Sequence, residues 1–157
     1  MKKIFDITIQ NRKILYKILK RTPPEILLQT PEGYRNNIWW NIAHVVVTQQ
    51  LLLYKLSNLD MRIDDSLVQK YRKGTVPGNN PSAEEMDNIA AFLLSTAEWA
   101  QDDYEKGVFN EYNEYTTSTK VTLRNVEDAL SFNLYHEGLH LGVILSMEKI
   151  LLKEQVF

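Results

Sequence analysis

The chain has 157 residues, 44% hydrophobic and 24% charged, with 18 Lys plus Arg against 20 Asp plus Glu for a net charge of −2. That length predicts one domain, residues 1–157, able to bury a hydrophobic core without covalent staples. The near-neutral balance leaves no electrostatic footprint for nucleic acid or an anionic membrane, and the absence of cysteine excludes disulfides and thiolate ligands together.

Lys2 to Arg21 has helical period, with Ile7, Ile14, Leu15, Ile18 and Leu19 as its apolar stripe and Lys and Arg elsewhere. Thr22-Pro23-Pro24 ends this helix, because the residue before a proline is pushed out of the helical region. A short turn at Glu25–Leu28 follows, and Pro31-Glu32-Gly33 breaks the chain again. Asn36 or Asn37 caps a second helix running to about Leu59, whose centre, Ile42–Leu56, is apolar nearly all round and so deeply buried. A connector spans Asp60–Asn80, with a short helix at Asp65–Arg72. Ser82 and Glu85 have capping-box spacing and open a third helix reaching about Lys106, where Gly107 stops it. Val108–Arg124, rich in Tyr, Thr, Asn and Glu, reads as loop with extended pieces. Asn125 caps a fourth helix from Val126 to about Lys153, with Glu127 and Asp128 favourably placed in its first turn. Four long helices and no firm strand predict an all-α antiparallel four-helix bundle. No segment approaches the ~18 uninterrupted apolar residues of a spanning helix. The N-terminus lacks the apolar run of a signal peptide, so a soluble cytoplasmic protein is expected.

The chain has 3 histidines, and their placement carries the chemistry. His136 and His140 are four apart, which puts both imidazoles on one helix face at the spacing that grips a single ion. Phe132, Val143 and Met147 continue that side and predict that it points into the core. His44, central in the buried second helix, can meet the pair from a neighbouring helix. Three imidazoles on one ion leave an open coordination position, and Zn²⁺, Ni²⁺, Mn²⁺ or Fe²⁺ suits such nitrogens. Each histidine alone is more simply a hydrogen-bonded core residue; the spacing of the three together favours a metal.

His136-Glu137-Gly138-Leu139-His140 also matches H-E-x-x-H, the zinc-protease pattern. The tail excludes it: Glu148 and Glu154 lie roughly 12 and 21 Å further along the same helix axis, and no third histidine follows. Glu137, about 100° around the helix from His136, is either a general base or an exposed helix position. Asn133, Thr48 and Gln49 lie within about a turn of a ligand and can orient an imidazole or meet a substrate, although routine polar roles account for them equally. Trp39 and Trp40 either wall an apolar pocket or pack the core. Tyr104, Tyr112 and Tyr115 are expected to cover one bundle end.

With Asn37-Ile38-Trp39-Trp40-Asn41-Ile42-Ala43-His44 on the second helix and Tyr135-His136-Glu137-Gly138-Leu139-His140-Leu141-Gly142 on the last, the chain resembles the DinB/YfiT-like superfamily over essentially its whole length. The resemblance implies metal ligands at His44, His136 and His140, a divalent ion that is often zinc or nickel, and frequently a homodimer. It also implies chemistry on low-molecular-weight thiols such as bacillithiol, mycothiol or glutathione, by transferases and isomerases. The damage-induction in the family name concerns regulation and implies no contact with DNA. The leading expectation is thus a metal-dependent S-transferase joining a low-molecular-weight thiol to a small electrophile. A hydrolase using metal-activated water, with Glu137 as base, is the alternative within enzymes. A non-catalytic, stress-related metal-binding protein is the alternative outside them.

Overall fold

Local side-chain capping sets where the helices that follow Asn37, Ser82 and Asn125 begin. The computed structural model describes residues 1–154, with side chains as far as 152, so the side chain of Glu154 lies outside the described residues. The helices are α1 (Lys2–Arg21), α2 (Pro24–Leu28), α3 (Ile38–Leu53), α4 (Asp65–Tyr71), α5 (Ala83–Glu105) and α6 (Val126–Glu154). Asn37 is the cap of α3, its Oδ1 accepting from the Trp40 amide at 2.8 Å while its Nδ2 donates to the Leu28 carbonyl. Asn125 accepts from the Asp128 amide in the same way. The Ser82 hydroxyl accepts from the Glu85 amide, but Glu85 does not complete the expected box. Its carboxylate instead takes hydrogen bonds from Lys70 and Tyr71 of α4. The second helix is also shorter than expected. It stops at Leu53, passes through one 3-10 turn at Lys55–Ser57, and is closed by Asn58 in the left-handed region at φ 57°.

The four long helices α1, α3, α5 and α6 form an all-α bundle in which α1 and α3 lie across one diagonal. Arg12 and Arg21 of α1 pair with Glu137 and Glu148 of α6, so those two helices run in the same direction. Phe5 meets Tyr104 while Arg12 meets Thr96, which makes α1 and α5 antiparallel. Asn41 reaches Met147 while His44 faces His136, so α3 and α6 are antiparallel as well. It follows that α3 and α5 run side by side in the same direction, with Tyr54, just past the end of the first, bonded to Asp103 near the end of the second. A chain leaving the far end of α3 must therefore return along the bundle before α5 begins, and the segment carrying α4 is that crossover. Between α5 and α6, β1 (Tyr115–Thr116) and β2 (Thr122–Leu123) make a two-stranded antiparallel hairpin, the extended pieces expected there.

Two apolar positions of the α1 stripe turn outward: Ile7 and Ile14 are exposed, whereas Phe5, Thr8, Arg12, Leu15, Ile18 and Leu19 are buried. The inward face takes in Thr8 and Arg12, and apolarity alone misplaces it by one residue in the first turns. On α6, Val143 likewise faces solvent, contrary to expectation, while Met147 is buried and Phe132 is half-buried. The line through Asn133, Glu137, Ile144 and Leu151 is the buried one. At about 100° per residue, His136 and His140 sit on its shoulder and Val143 lies beyond them.

Arg12 is fully buried and touches each of the other three long helices. Nη2 donates to Glu137 Oε1 of α6 at 2.8 Å and to the Val45 carbonyl of α3 at 3.3 Å, and Nη1 meets Thr96 of α5 at 3.5 Å. Glu137, also 0% exposed, takes a second hydrogen bond from Asn133 Nδ2. Its place at the bundle centre replaces the exposed position that was one of its two sequence readings. Two ions at this depth are costly to desolvate, and each depends on its partner. Glu137→Gln or Arg12→Met is expected to cost about 3–5 kcal/mol in urea denaturation, because the remaining charge is left unpaired. The Arg12→Met/Glu137→Met double variant should lose less than the sum of the singles, and simple additivity would contradict the pairing.

Candidate metal centre

His44 lies on the second turn of α3, and His136 and His140 lie on successive turns of the antiparallel α6. Their ring nitrogens approach one another within 4.8 Å. The ring centroids are 4.4 Å apart for His136–His140, 4.8 Å for His44–His140 and 5.1 Å for His44–His136.

The hydrogen bonds around the rings determine which nitrogen faces inward. His44 Nδ1 lies 2.6 Å from the Tyr71 carbonyl, which can only accept, so Nδ1 carries the proton and Nε2 has the lone pair. Asn41 Nδ2 donates to the Asn37 carbonyl at 2.7 Å, which orients the amide with Oδ1 towards His140. His140 Nδ1 therefore donates to that oxygen at 2.7 Å, and its Nε2 is again the free base. The Nε2 atoms of His136 and His140 are 3.1 Å apart. With Nε2 of His140 a lone pair, the contact at that range takes either an Nε2–H donated by His136 or a cation between the two nitrogens. A tetrahedral ion with nitrogen ligands at 2.0–2.1 Å spaces them by roughly 3.3–3.4 Å, close to what is seen. The donor set thus fits a divalent ion held by three neutral imidazoles. Carbonyl and amide oxygens behind two of the rings are the outer partners that hold metal-binding histidines in one tautomer. His136 Nδ1 is buried and has no such partner among the described residues.

Burial keeps these rings neutral. His136 is pushed down to about 3 by desolvation first and by the neighbouring His140, His44 and Arg12 next. His140 falls to about 4, mainly through burial and then through His44. Burial lowers His44 as well, partly opposed by the Tyr71 carbonyl.

The rings open onto a cleft of about 600 Å³. Trp40 stacks on His44 at 4.5 Å and 14°, and Phe132 stacks on His136 at 6.4 Å, so both aromatics wall the pocket beside the triad. Trp39 does not reach it; it packs in the core with its Nε1 donating to Tyr71 Oη. Thr48 joins the site, its hydroxyl 3.3 Å from His44 Nε2. Asn133 and Gln49 are buried off the cleft, and Asn133 serves Glu137. Glu137 is absent from the cleft lining, its carboxylate directed to Arg12. Among the tyrosines, Tyr104 donates to Glu127 and Tyr112 to the Leu52 carbonyl, while Tyr115 on the hairpin borders the cleft. Sequence reasoning missed Asn41, Tyr71 and Arg12. Only Asn41, one helical turn before His44 in a buried run, carried a local signal.

Protons bound by the unfolded chain but not by the folded one set the acid sensitivity of this site. The folded imidazoles titrate below the ordinary 6.5, so their contribution to stability is complete above that pH and is lost as pH falls towards about 4 for His140 and about 3 for His136. Metal-free protein is expected to lose denaturation free energy steadily over that window, and His136→Gln to flatten the loss. Urea curves at successive pH values read this out, and equal slopes for the two proteins would contradict it.

The model of the DinB superfamily matches residues 7–144, a span that includes all three histidines. No curated protein matches the sequence. With the match covering most of its length and the helical bundle and histidine cluster in place, the chain belongs to the DinB superfamily.

Proposed function

We propose that this protein is a divalent-metal-dependent enzyme, and within that class a transferase that joins a low-molecular-weight thiol to a small electrophile. The carrying observation is the set of three neutral imidazoles at the wall of an open cleft, with no fourth His, Cys, Asp or Glu joining the group among the described residues. Three protein ligands and an accessible face are the pattern of a reactive site, whereas a structural ion is closed by four. This disfavours a purely structural or vestigial, stress-related metal. Zinc or nickel is the assignment that suits the donor set and the family resemblance. A divalent ion bound there supplies the Lewis acidity that keeps a thiol ionised at neutral pH. The chain has no cysteine, so the sulfur nucleophile comes from outside.

The cleft residues do the rest. Trp40 and Phe132 present aromatic faces to an apolar electrophile, and the Thr48 hydroxyl is placed to hydrogen-bond a group beside His44. We assign Glu137 a positioning role, since its carboxylate is held by Arg12 and Asn133. The hydrolytic alternative loses the base expected for it, because Glu137 lies off the cleft, and we therefore prefer transfer.

No helix among the described residues is long and apolar enough to cross a membrane, and we place the protein in the cytoplasm acting on small molecules, not nucleic acid. We also infer a homodimer through α6, where Tyr135, Leu139 and Val143 are exposed along one side and Gly138 and Gly142 leave open space around the backbone.

Untagged protein should bind about one divalent ion per chain, and His140→Ala should abolish this, as read by elemental analysis and titration. Asn41→Ala should weaken metal affinity 10–100-fold through the misoriented His140 ring. Conjugation of monochlorobimane, screened over bacillithiol, mycothiol and glutathione, should follow metal content and vanish in His140→Ala. A chain that takes up no metal sinks every reading built on the ion; metal uptake without conjugation by any thiol sinks the transferase reading alone. Light scattering of Leu139→Glu should report a monomer where the parent is a dimer.

A further inference from the structure

The charge of the cleft does not follow the charge of the chain. Although Asp and Glu outnumber Lys and Arg overall, Arg35, Lys55 and Lys73 line the cleft and no carboxylate does. All three side chains are exposed, and none has an ion-pair partner among the described residues. They come from three separate segments. Arg35 precedes α3, and Lys55 follows its far end in the 3-10 turn. Lys73 lies in the crossover between Tyr71, whose carbonyl holds His44, and Thr75, whose hydroxyl accepts from Trp40 Nε1 at 3.0 Å. Those two anchors bracket Lys73 and keep its segment against the triad. Gly74, at φ +93°, supplies the left-handed turn between them, a conformation that a side chain disfavours.

We infer that the cleft selects a small anionic molecule, one carrying carboxylate or phosphate oxygens on an apolar body, with Arg35, Lys55 and Lys73 as its specificity-determining residues. This rests on the reading of the cleft as the substrate site and names the substrate class that the proposed enzyme accepts. Apolar surface from Trp40 and Phe132 receives the body and Lys73 beside the triad receives the charge, with Arg35 and Lys55 at opposite ends of α3 adding to the positive field around it. Low-dielectric walls of one sign concentrate field lines in a cleft, so unpaired cations here act more strongly than they do on an open surface. Three neutral imidazoles add no negative charge to oppose them.

The test compares naphthalene-2-carboxylate and 2-naphthyl phosphate with uncharged naphthalene-2-carboxamide, which shares the same ring system. Isothermal titration on the full chain, first metal-free and then with Zn²⁺, gives the affinities. At least one anion is expected to bind metal-free protein on the order of tenfold more tightly than the amide, with the preference shrinking as salt is raised. Lys73→Met and the Arg35→Met/Lys55→Met pair should reduce anion affinity severalfold and leave amide affinity unchanged; as exposed positions they leave the fold intact. Equal affinity for anions and amide, no anion binding, or variants that weaken both ligands alike would overturn the inference. Because the first arm uses no metal, a failure of metal uptake would strike the enzyme reading and leave this measurement standing.

Discussion

One buried guanidinium sets the register on which the site depends. Arg12 reaches α5 at Thr96, α3 at the Val45 carbonyl and α6 at Glu137. Two of those contacts fall on the residues that directly follow His44 and His136. A guanidinium has fixed, planar donor directions, so the helix that carries His44 and the helix that carries His136 are referred to one rigid group on a third helix. Apolar packing alone tolerates small rotations of a helix about its axis. A charged hydrogen bond at full burial tolerates far less, because misalignment leaves an ion without solvent or partner. On this view the Glu of the H-E-x-x-H string acts on the histidines through helix placement.

The second constraint is topological. With α3 and α5 parallel, the connection between them must travel the length of the bundle, and it borders the cleft beside the histidines. That return path places the Tyr71 carbonyl behind His44, Thr75 beside Trp40, and Lys73 on the cleft. The hairpin before α6 adds Tyr115 and Thr117 to the lining. The bundle helices thus supply the three imidazoles, and the two connections supply part of the cleft wall around them. Such a division leaves the three histidines on the most regular elements and much of the cleft wall on segments that can vary.

Much of this was legible in the chain. Helix starts followed from Asn37, Ser82 and Asn125, since capping is local chemistry. The histidine cluster followed from spacing, because a four-residue repeat on a helix fixes a shared face. What escaped were facts that depend on a partner distant in sequence. Arg12 resembles any surface arginine until Glu137, far along the chain, is placed against it. Val143 and Ile7 look like core positions because a helix with apolar residues on several sides does not announce which side is inward. Asn41 and the Tyr71 carbonyl were hidden for different reasons: one is a common polar residue in a buried run, and the other is a backbone group that no side-chain pattern can signal.

The ring contact between Trp40 and His44 has an optical consequence. Indole emission responds to what touches the ring, and Trp40 lies face to face with an imidazole of the triad. The other two indoles are placed differently: Trp39 is tied to Tyr71 within the core, and Trp99 packs on Phe92 of α5 and under Arg62 of the connector. Events at the triad therefore register chiefly on one of three fluorophores. A paramagnetic ion bound at the triad would quench that fluorophore far more strongly than a closed-shell one, so Trp40 emission would distinguish the two with no label attached.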